Sequence, residues 1–194
     1  MSDFIVVPAT ENDLKYVDHL QRKNAEELSF YPAQVFEREL VNERIHIAWF
    51  NNEPCGYIYH GAFGQKLKIH QACIQYDLRG KLYGAALIGD LLNRLDGMNV
   101  ASIHLNCGSD IEANSFWRHM GFYCEQVRAG GVRRMRDINC WRYDLQQPLF
   151  AIEVDPSSKA QDASVWRKRD KTIKRSQFIR GKRMNDYRSI VIDE

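Results

Sequence analysis

The chain has 194 residues, 44% of them hydrophobic, which suggests one domain with an appendage and enough apolar mass for a proper core. A formal net charge of +2 names no class of partner, but the charge is unevenly spread. Asp155 to Glu194 carries 11 Lys/Arg against 6 Asp/Glu, so a mildly acidic body precedes a basic tail. No apolar run approaches the roughly 20 residues of a membrane helix, and Ser2 and Asp3 before a short apolar run make no signal peptide. A cytoplasmic protein without a membrane partner is therefore expected. The cysteines, Cys55, Cys73, Cys107, Cys124 and Cys140, are odd in number and lack Cys-x-x-Cys spacing. They read as reduced, buried thiols, with no metal site.

Phe4 to Val7, ending at Pro8, reads as a strand. Thr10 with Asp13 marks a helix start, and Leu14, Val17 and Leu20 continue at helical spacing to about Leu28. Pro32 suits the first position of a second helix carrying Val35, Phe36, Leu40 and Val41. Ile45 to Phe50 and Cys55 to Ala62 form a hairpin across the turn residues Asn51-Asn52-Glu53-Pro54. Leu67 to Tyr76 is a third consecutive strand. A helix with the apolar face Leu87, Ile88, Leu91, Leu92 and Leu95 follows and stops at Gly97. Val100 to Leu105 is a strand. Ser109 with Glu112 has the capping-box pattern for a helix carrying Ile111, Phe116, Trp117 and Met120. Phe122 to Val127 and Ile138 to Leu145 are the last strands of the body. The order β-α-α-β-β-β-α-β-α-β-β predicts a mixed α/β fold. Residues 1–148 make the domain and 149–194 an extension: Leu149 to Val154 as a further strand, Asp155 to Ser164 as a linker, then a basic tail.

The stretch YDLRGKLYGAALIGDLL, Tyr76 to Leu92, carries the chemistry. A strand feeding a small-residue turn into a helix start points backbone N–H groups outward. The helix dipole, Arg79 and Lys81 add positive charge. This is the pattern of a phosphate or pyrophosphate cradle, and also that of an ordinary strand-to-helix turn.

IQYDLRGKLYGAALI resembles motif A of the GNAT superfamily of N-acetyltransferases, Arg/Gln-x-x-Gly-x-Gly/Ala. The match runs through Arg79, Gly80, Lys81, Leu82, Tyr83 and Gly84. DIEANSFWRHMGF resembles the family's next helix through Ala113, Phe116, Gly121 and Phe122, and the element order is the family's. The resemblance covers roughly residues 4 to 146. It implies a GNAT-like, mostly antiparallel mixed sheet with flanking helices, and transfer of an acetyl group from acetyl-CoA to a primary amine of unknown identity. The pyrophosphate would lie over Arg79 to Ala85. Leu82 stands where the motif usually has its first glycine, Trp117 where many members have the tyrosine that protonates coenzyme A, and Asp110 where asparagine is usual.

The resemblance further implies an oxyanion donor among the backbone N–H groups near Cys73 or Ile74. His70, on the same strand, is the candidate general base, with an intrinsic pKa suited to neutral pH. Asn106, on the strand expected to splay away, is the candidate for holding the pantetheine amide or ordering a water. His119 and Tyr123 flank Trp117 as replacements for the missing acid, and Tyr123 is taken as the catalytic candidate. Arg128, Arg133, Arg134 and Arg136 surround Gly130-Gly131 beside the expected acceptor site. Arg134 and Arg136 are expected to face the cleft together, with Arg133 to the other side. With the basic tail, these arginines suit a polyanionic acceptor such as a nucleic acid. The tail is expected to order only against a partner, another subunit of a homodimer or a nucleic acid. A third reading, a non-catalytic acyl-CoA-binding module, rests on Leu82 and Trp117.

Overall fold

The computed structural model describes residues 4–131 and 135–145. The extension 149–194, Arg133 and Arg134 lie outside the described residues. The elements are β1 (Phe4–Pro8), α1 (Leu14–Lys23), α2 (Ala33–Leu40), β2 (Ile45–Phe50), β3 (Glu53–Phe63), β4 (Lys66–Ile74), α3 (Tyr83–Arg94), β5 (Ser102–Gly108), α4 (Ala113–His119), β6 (Tyr123–Ala129) and β7 (Asp137–Asp144). They form one sheet in the order β1-β2-β3-β4-β5-β7-β6, in which only β4 and β5 pair parallel. The element order and the mostly antiparallel sheet are those expected.

Several boundaries differ, each for a local reason. The first helix stops at Lys23 rather than Leu28, because the Asn24 side-chain amide donates to the Leu20 carbonyl at 2.8 Å and competes with the next helical turn. The fourth helix begins at Ala113 without a Ser109 cap. Asn114 Nδ2 instead donates to the carbonyls of Gly108 and Ile111, at 2.6 and 2.7 Å, and stabilises a turn there. Cys55, Cys73 and Cys107 are buried, but Cys124 is exposed and Cys140 half-buried, contrary to the expectation that all five are core thiols.

The sheet separates two apolar layers. On one face α1 and α2 bury Val17, Leu20 and Phe36 against Ile45, Ile47, Tyr57 and Tyr59. On the other, α3 and α4 bury Leu87, Ile88, Leu91 and Trp117 against Ile58, Leu67, Ile69, Ile103, Leu105 and Trp141. Each fully buried aliphatic side chain is worth about 1.5–3 kcal/mol relative to exposure, so these stripes are what hold the helices to the sheet. Residues of β5 and β7 join only the second layer, and none of β6 is in either. Among the described residues, no helix of this chain is long and apolar enough to cross a membrane.

One irregularity shapes the centre of the sheet. Tyr59 pairs with Gln71 and His60 with Ile69, so His70 is an extra residue bulged out of β4. The bulge reverses the side-chain alternation. Leu67 and Ile69 face α3, whereas Gln71 packs on Gln21 and Cys73 joins the α1/α2 layer. A bulge also raises local twist. Pairing of β4 with β5 ends at Ile69 and Leu105, immediately before it. Past that point His70–Ile74 and Asn106–Gly108 diverge, while β5 stays paired to β7.

Candidate active site

The gap between the diverging strands is the throat of a cleft of roughly 790 Å³. Its walls are the β4 segment His70–Ile74 with Arg79, Gly80 and Gly84, the β5 segment Leu105–Gly108, the α4 residues Phe116 and Trp117, and the hairpin residues Arg128, Gly131, Arg136 and Ile138. Glu27, Leu28 and Ser29, from the α1–α2 connection, form one rim.

At the β4 end, Gln75 N donates to Cys55 O at 2.9 Å, so the Gln75 amide faces β3. Alternation then turns Cys73 toward β3 and Ile74 toward the gap. The Ile74 carbonyl lies on that same side and accepts from Arg79 Nε at 3.3 Å. Of the two expected donors, Ile74 is the one whose N–H faces the cleft. A one-turn helix over Tyr76–Leu78 follows, then Gly80 with φ +79° and Leu82 with φ +64°, and α3 begins. Leu82 thus takes the left-handed conformation in which glycine is unpenalised, at a cost of about 1–2 kcal/mol. The turn forms despite the missing glycine because the Leu82 side chain is 43% exposed and meets no core. The N–H groups of Gly84 and Ala85, in the first turn of α3, lie at the positive end of its dipole. Of this turn's side chains, Lys81 is exposed, and Tyr83 is buried against Phe4 and Phe50. A Cβ on Gly84 would meet the Phe116 ring at 3.3 Å, so glycine there allows α3 to approach α4.

Arg79 is not a free cation. Its Nη1 and Nη2 grip the Glu27 carboxylate at 3.0 and 2.9 Å, and Nη2 also donates to Asn24 Oδ1 at 2.6 Å. The Glu27 hydrogen bonds raise its pKa further. Arg79 therefore ties the turn after α1 to the end of β4, a role its place in the motif did not disclose.

Ser29 and Tyr31 are fastened to β4 by a buried amide network. Gln71 Nε2 donates to Ser29 O and to Gln21 Oε1, and Gln71 Oε1 accepts from the Tyr57 hydroxyl at 2.9 Å. Gln21 in turn accepts from Tyr31 N and donates to Tyr31 O, at 3.1 and 2.8 Å. The Tyr31 hydroxyl reaches His70 Nδ1 at 3.2 Å, and the His70 ring stacks on Tyr59. Burial, then the Lys68 charge, lowers the His70 pKa, so the imidazole is neutral near pH 7. Neither Gln21 nor Gln71 stood out in the sequence, since a buried glutamine leaves no periodic signal.

Opposite, Asn106 is exposed in the cleft and its side chain makes no hydrogen bond to a described residue. Trp117 is 6% exposed and packs edge-on against Phe116 and Phe122, at 5.0 and 5.2 Å between centroids. Tyr123 does not reach the cleft. It sits on β6 with its hydroxyl donating to Asp144 Oδ2 at 2.8 Å, and burial, then this carboxylate, pushes its pKa to about 12. His119 lies on the cleft wall, with Nδ1 2.7 Å from Ser115 O, so Nδ1 carries a proton and Nε2 is the open nitrogen.

Arg136 is among the residues that line the cleft. Its Nη1 reaches Asp110 Oδ1 at 3.3 Å and Glu26 O at 3.2 Å, and its Nε is a buried donor with no acceptor among the described residues. It lies across Gly108, where a Cβ would be 2.8 Å from Arg136 Cδ. An unpaired buried donor costs about 1–3 kcal/mol, so this guanidinium is poorly satisfied.

The GNAT acetyltransferase domain model matches residues 16–133, more than half the chain. No curated protein matches the sequence. Among solved structures, Ard1 from Thermoplasma volcanium superposes with TM-score 0.67 at 14% identity, covering 74% of this chain and 99% of its own. The ribosomal-protein-S18-alanine N-acetyltransferase from Escherichia coli gives 0.64 at 14%, covering 75% and 96%. Arabidopsis thaliana Naa50, in complex with the bisubstrate analogue CoA-Ac-MVNAL, gives 0.63 at 15%, covering 73% and 98%. The family match, the bulge-driven splay beside a strand-turn-helix cradle and the shared fold have one conclusion: the chain belongs to the GNAT family of acetyltransferases, enzymes whose acetyl donor is acetyl-CoA.

Proposed function

We propose that this chain acetylates a primary amine that enters the cleft from the α1/α2 side of the sheet. The observation that carries this reading is the opening of β4 from β5 directly beside the N–H-rich turn that starts α3. The turn from Arg79 to Ala85 offers backbone N–H groups and Lys81 to a pyrophosphate, while Arg79 itself holds the turn's shape. Asn106, with an unspent amide, is suited to a pantetheine amide. Acetyl-CoA supplies an activated thioester. The Ile74 N–H is aimed to stabilise negative charge developing on a carbonyl oxygen in the gap, a contribution of about 3–4 kcal/mol where such donors have been removed.

His70 sits where β4 leaves β5 and is neutral near pH 7, so it is the group suited to accept the amine's proton. Tyr123 is given no part, since its hydroxyl is spent on Asp144. The acceptor class closest to hand is the amino terminus of a peptide, by likeness to the Naa50 and ribosomal-protein enzymes.

Calorimetry with acetyl-CoA, coupled to thiol release in the presence of amines, tests the reading. Acetyl-CoA should bind the parent and fail to bind a folded Gly84→Glu variant. His70→Gln should lose roughly a hundredfold in kcat with acetyl-CoA affinity intact. Unchanged acetyl-CoA affinity in Gly84→Glu overturns the cradle, and an unchanged kcat in His70→Gln removes the base.

A further inference from the structure

We infer that Glu27 is a positioning residue for the acceptor. Gripped by Arg79, its carboxylate holds the α1–α2 connection against the end of β4 and fixes the wall past which the amine approaches. The inference rests on the acetyltransferase reading and concerns the acceptor side of that same cleft.

Residues 24–32 connect Lys23, the end of α1, to Ala33, the start of α2. A surface connection is mobile unless something ties it down. This one contributes Glu27, Leu28 and Ser29 to the cleft, so its position sets the shape of that rim. Its backbone forms a turn, in which Glu27 N and Leu28 N donate to Asn24 O at 3.0 and 2.9 Å. Side chains from β4 and the turn after it then hold three of its residues. Arg79 Nη1 and Nη2 grip the two Glu27 oxygens at 3.0 and 2.9 Å, and Nη2 also takes Asn24 Oδ1 at 2.6 Å. Gln71 Nε2 donates to Ser29 O. The connection is thus pinned on both sides of Leu28, which packs on the α1/α2 layer.

The same guanidinium reaches the strand that carries the oxyanion donor. Arg79 Nε donates to the Ile74 carbonyl at 3.3 Å. One planar group therefore sets the spacing between the acceptor rim and Ile74. A bidentate guanidinium–carboxylate pair fixes orientation as well as distance. Placement matters here, because a shift of about 1 Å at a reacting centre costs on the order of a hundredfold in rate. Stability alone does not account for the pair. Its side chains are 31% and 39% exposed, and an ion pair this open to water adds little to a fold. Both Glu27 oxygens are held by Arg79, so the carboxylate acts through the connection it anchors.

The test uses the full chain with acetyl-CoA saturating and a panel of primary amines, short peptides and polyamines among them, read by thiol release. Glu27→Gln keeps the side chain's size and cuts the ion pair. It should lower kcat/KM for the amine tenfold or more, leave acetyl-CoA affinity within twofold, and speed amide exchange at residues 24–29 but not in β1, β2 or β3. Glu27→Asp, which keeps the charge, should recover part of the loss. Arg79→Gln should lose the same acceptor factor, and the double variant no more than either single, because all three cut one tie. An unchanged acceptor kcat/KM in Glu27→Gln overturns the inference and leaves the acetyltransferase reading standing. A loss without faster exchange at residues 24–29 also overturns it. So does a loss in Glu27→Gln with none in Arg79→Gln, which gives the carboxylate a direct contact with the amine. Failure of every amine while acetyl-CoA still binds overturns it too, yet leaves the cofactor cradle standing. Failure of acetyl-CoA itself to bind refutes the acetyltransferase reading and the inference together.

Discussion

The two halves of the sheet on either side of the splay use their polar groups in opposite ways. In the half made of β1 to β4, helices clad both faces, and almost every polar side chain near the cleft is spent on another part of the chain. Arg79 holds Glu27 and Asn24, Gln71 holds Ser29 and Tyr57, and Tyr31 meets His70. In the half made of β5, β7 and β6, buried apolar residues gather on one face only, and the Asn106 side chain, exposed in the cleft, makes no hydrogen bond to a described residue. A wall whose donors are already paired can hold shape but gains little from a ligand. A wall with spare donors gains from one. The first half is the frame, and the second carries the capacity for recognition.

The frame should fail in acid, and this is the largest effect expected. His46 and His60 stack in the β2–β3 layer, His46 Nδ1 and His60 Nε2 have no partner among the described residues, and burial lowers each pKa from 6.5 to about 4. Between those values the unfolded chain binds protons that the fold refuses, so stability present above pH 6.5 is lost as pH falls through 4. The loss is on the order of 2–3 kcal/mol per imidazole. Urea midpoints between pH 7.5 and 4.5 should fall steeply, and a flat profile would show these imidazoles to be solvated.

Gln71→Leu should cost about 2–4 kcal/mol, since it strands the buried Tyr57 hydroxyl and the Ser29 carbonyl. The melting temperature should drop, and susceptibility to proteolysis should rise first at the α1–α2 connection. A change within experimental scatter would mean that this wall is not a frame.

On the other side the pattern should invert. Asn106→Ala should leave stability within about 0.5 kcal/mol, as for most surface positions. It should weaken acetyl-CoA by up to roughly tenfold, the worth of one hydrogen bond. A large loss of stability without a loss of affinity would place Asn106 in the frame.

The smallest effect concerns the turn. Leu82→Gly relieves a left-handed leucine that is 43% exposed. Against the added freedom of glycine in the unfolded chain, the net gain is about 0.5–1 kcal/mol. Acetyl-CoA affinity should rise modestly, because the backbone at the cradle loses a side chain. A fall in both quantities would show that the Leu82 side chain packs on the cosubstrate.

The turn from Arg79 to Ala85 was legible in the sequence because it is local. Small residues and charges from Arg79 to Ala85 specify a turn and a helix start within a few residues of themselves, and the motif spacing carries over intact. The contacts of the cleft's arginines were not legible, because they are assembled from distant parts. Arg79 meets Glu27 across 52 residues, and Arg136 meets Glu26 across 110. That Arg79 and Arg136 each tie distant segments of the chain together follows from those encounters alone. The bulge at His70 is similarly silent, since one extra residue in an alternating run looks like an irregular strand until its partner is known. What the sequence by itself determined is the order and type of the elements, through apolar periodicity and turn chemistry that act over a few residues. What only the tertiary structure decided is the splay of β4 from β5 and the pairing state of each charge, because both depend on contacts that form only when the whole sheet closes.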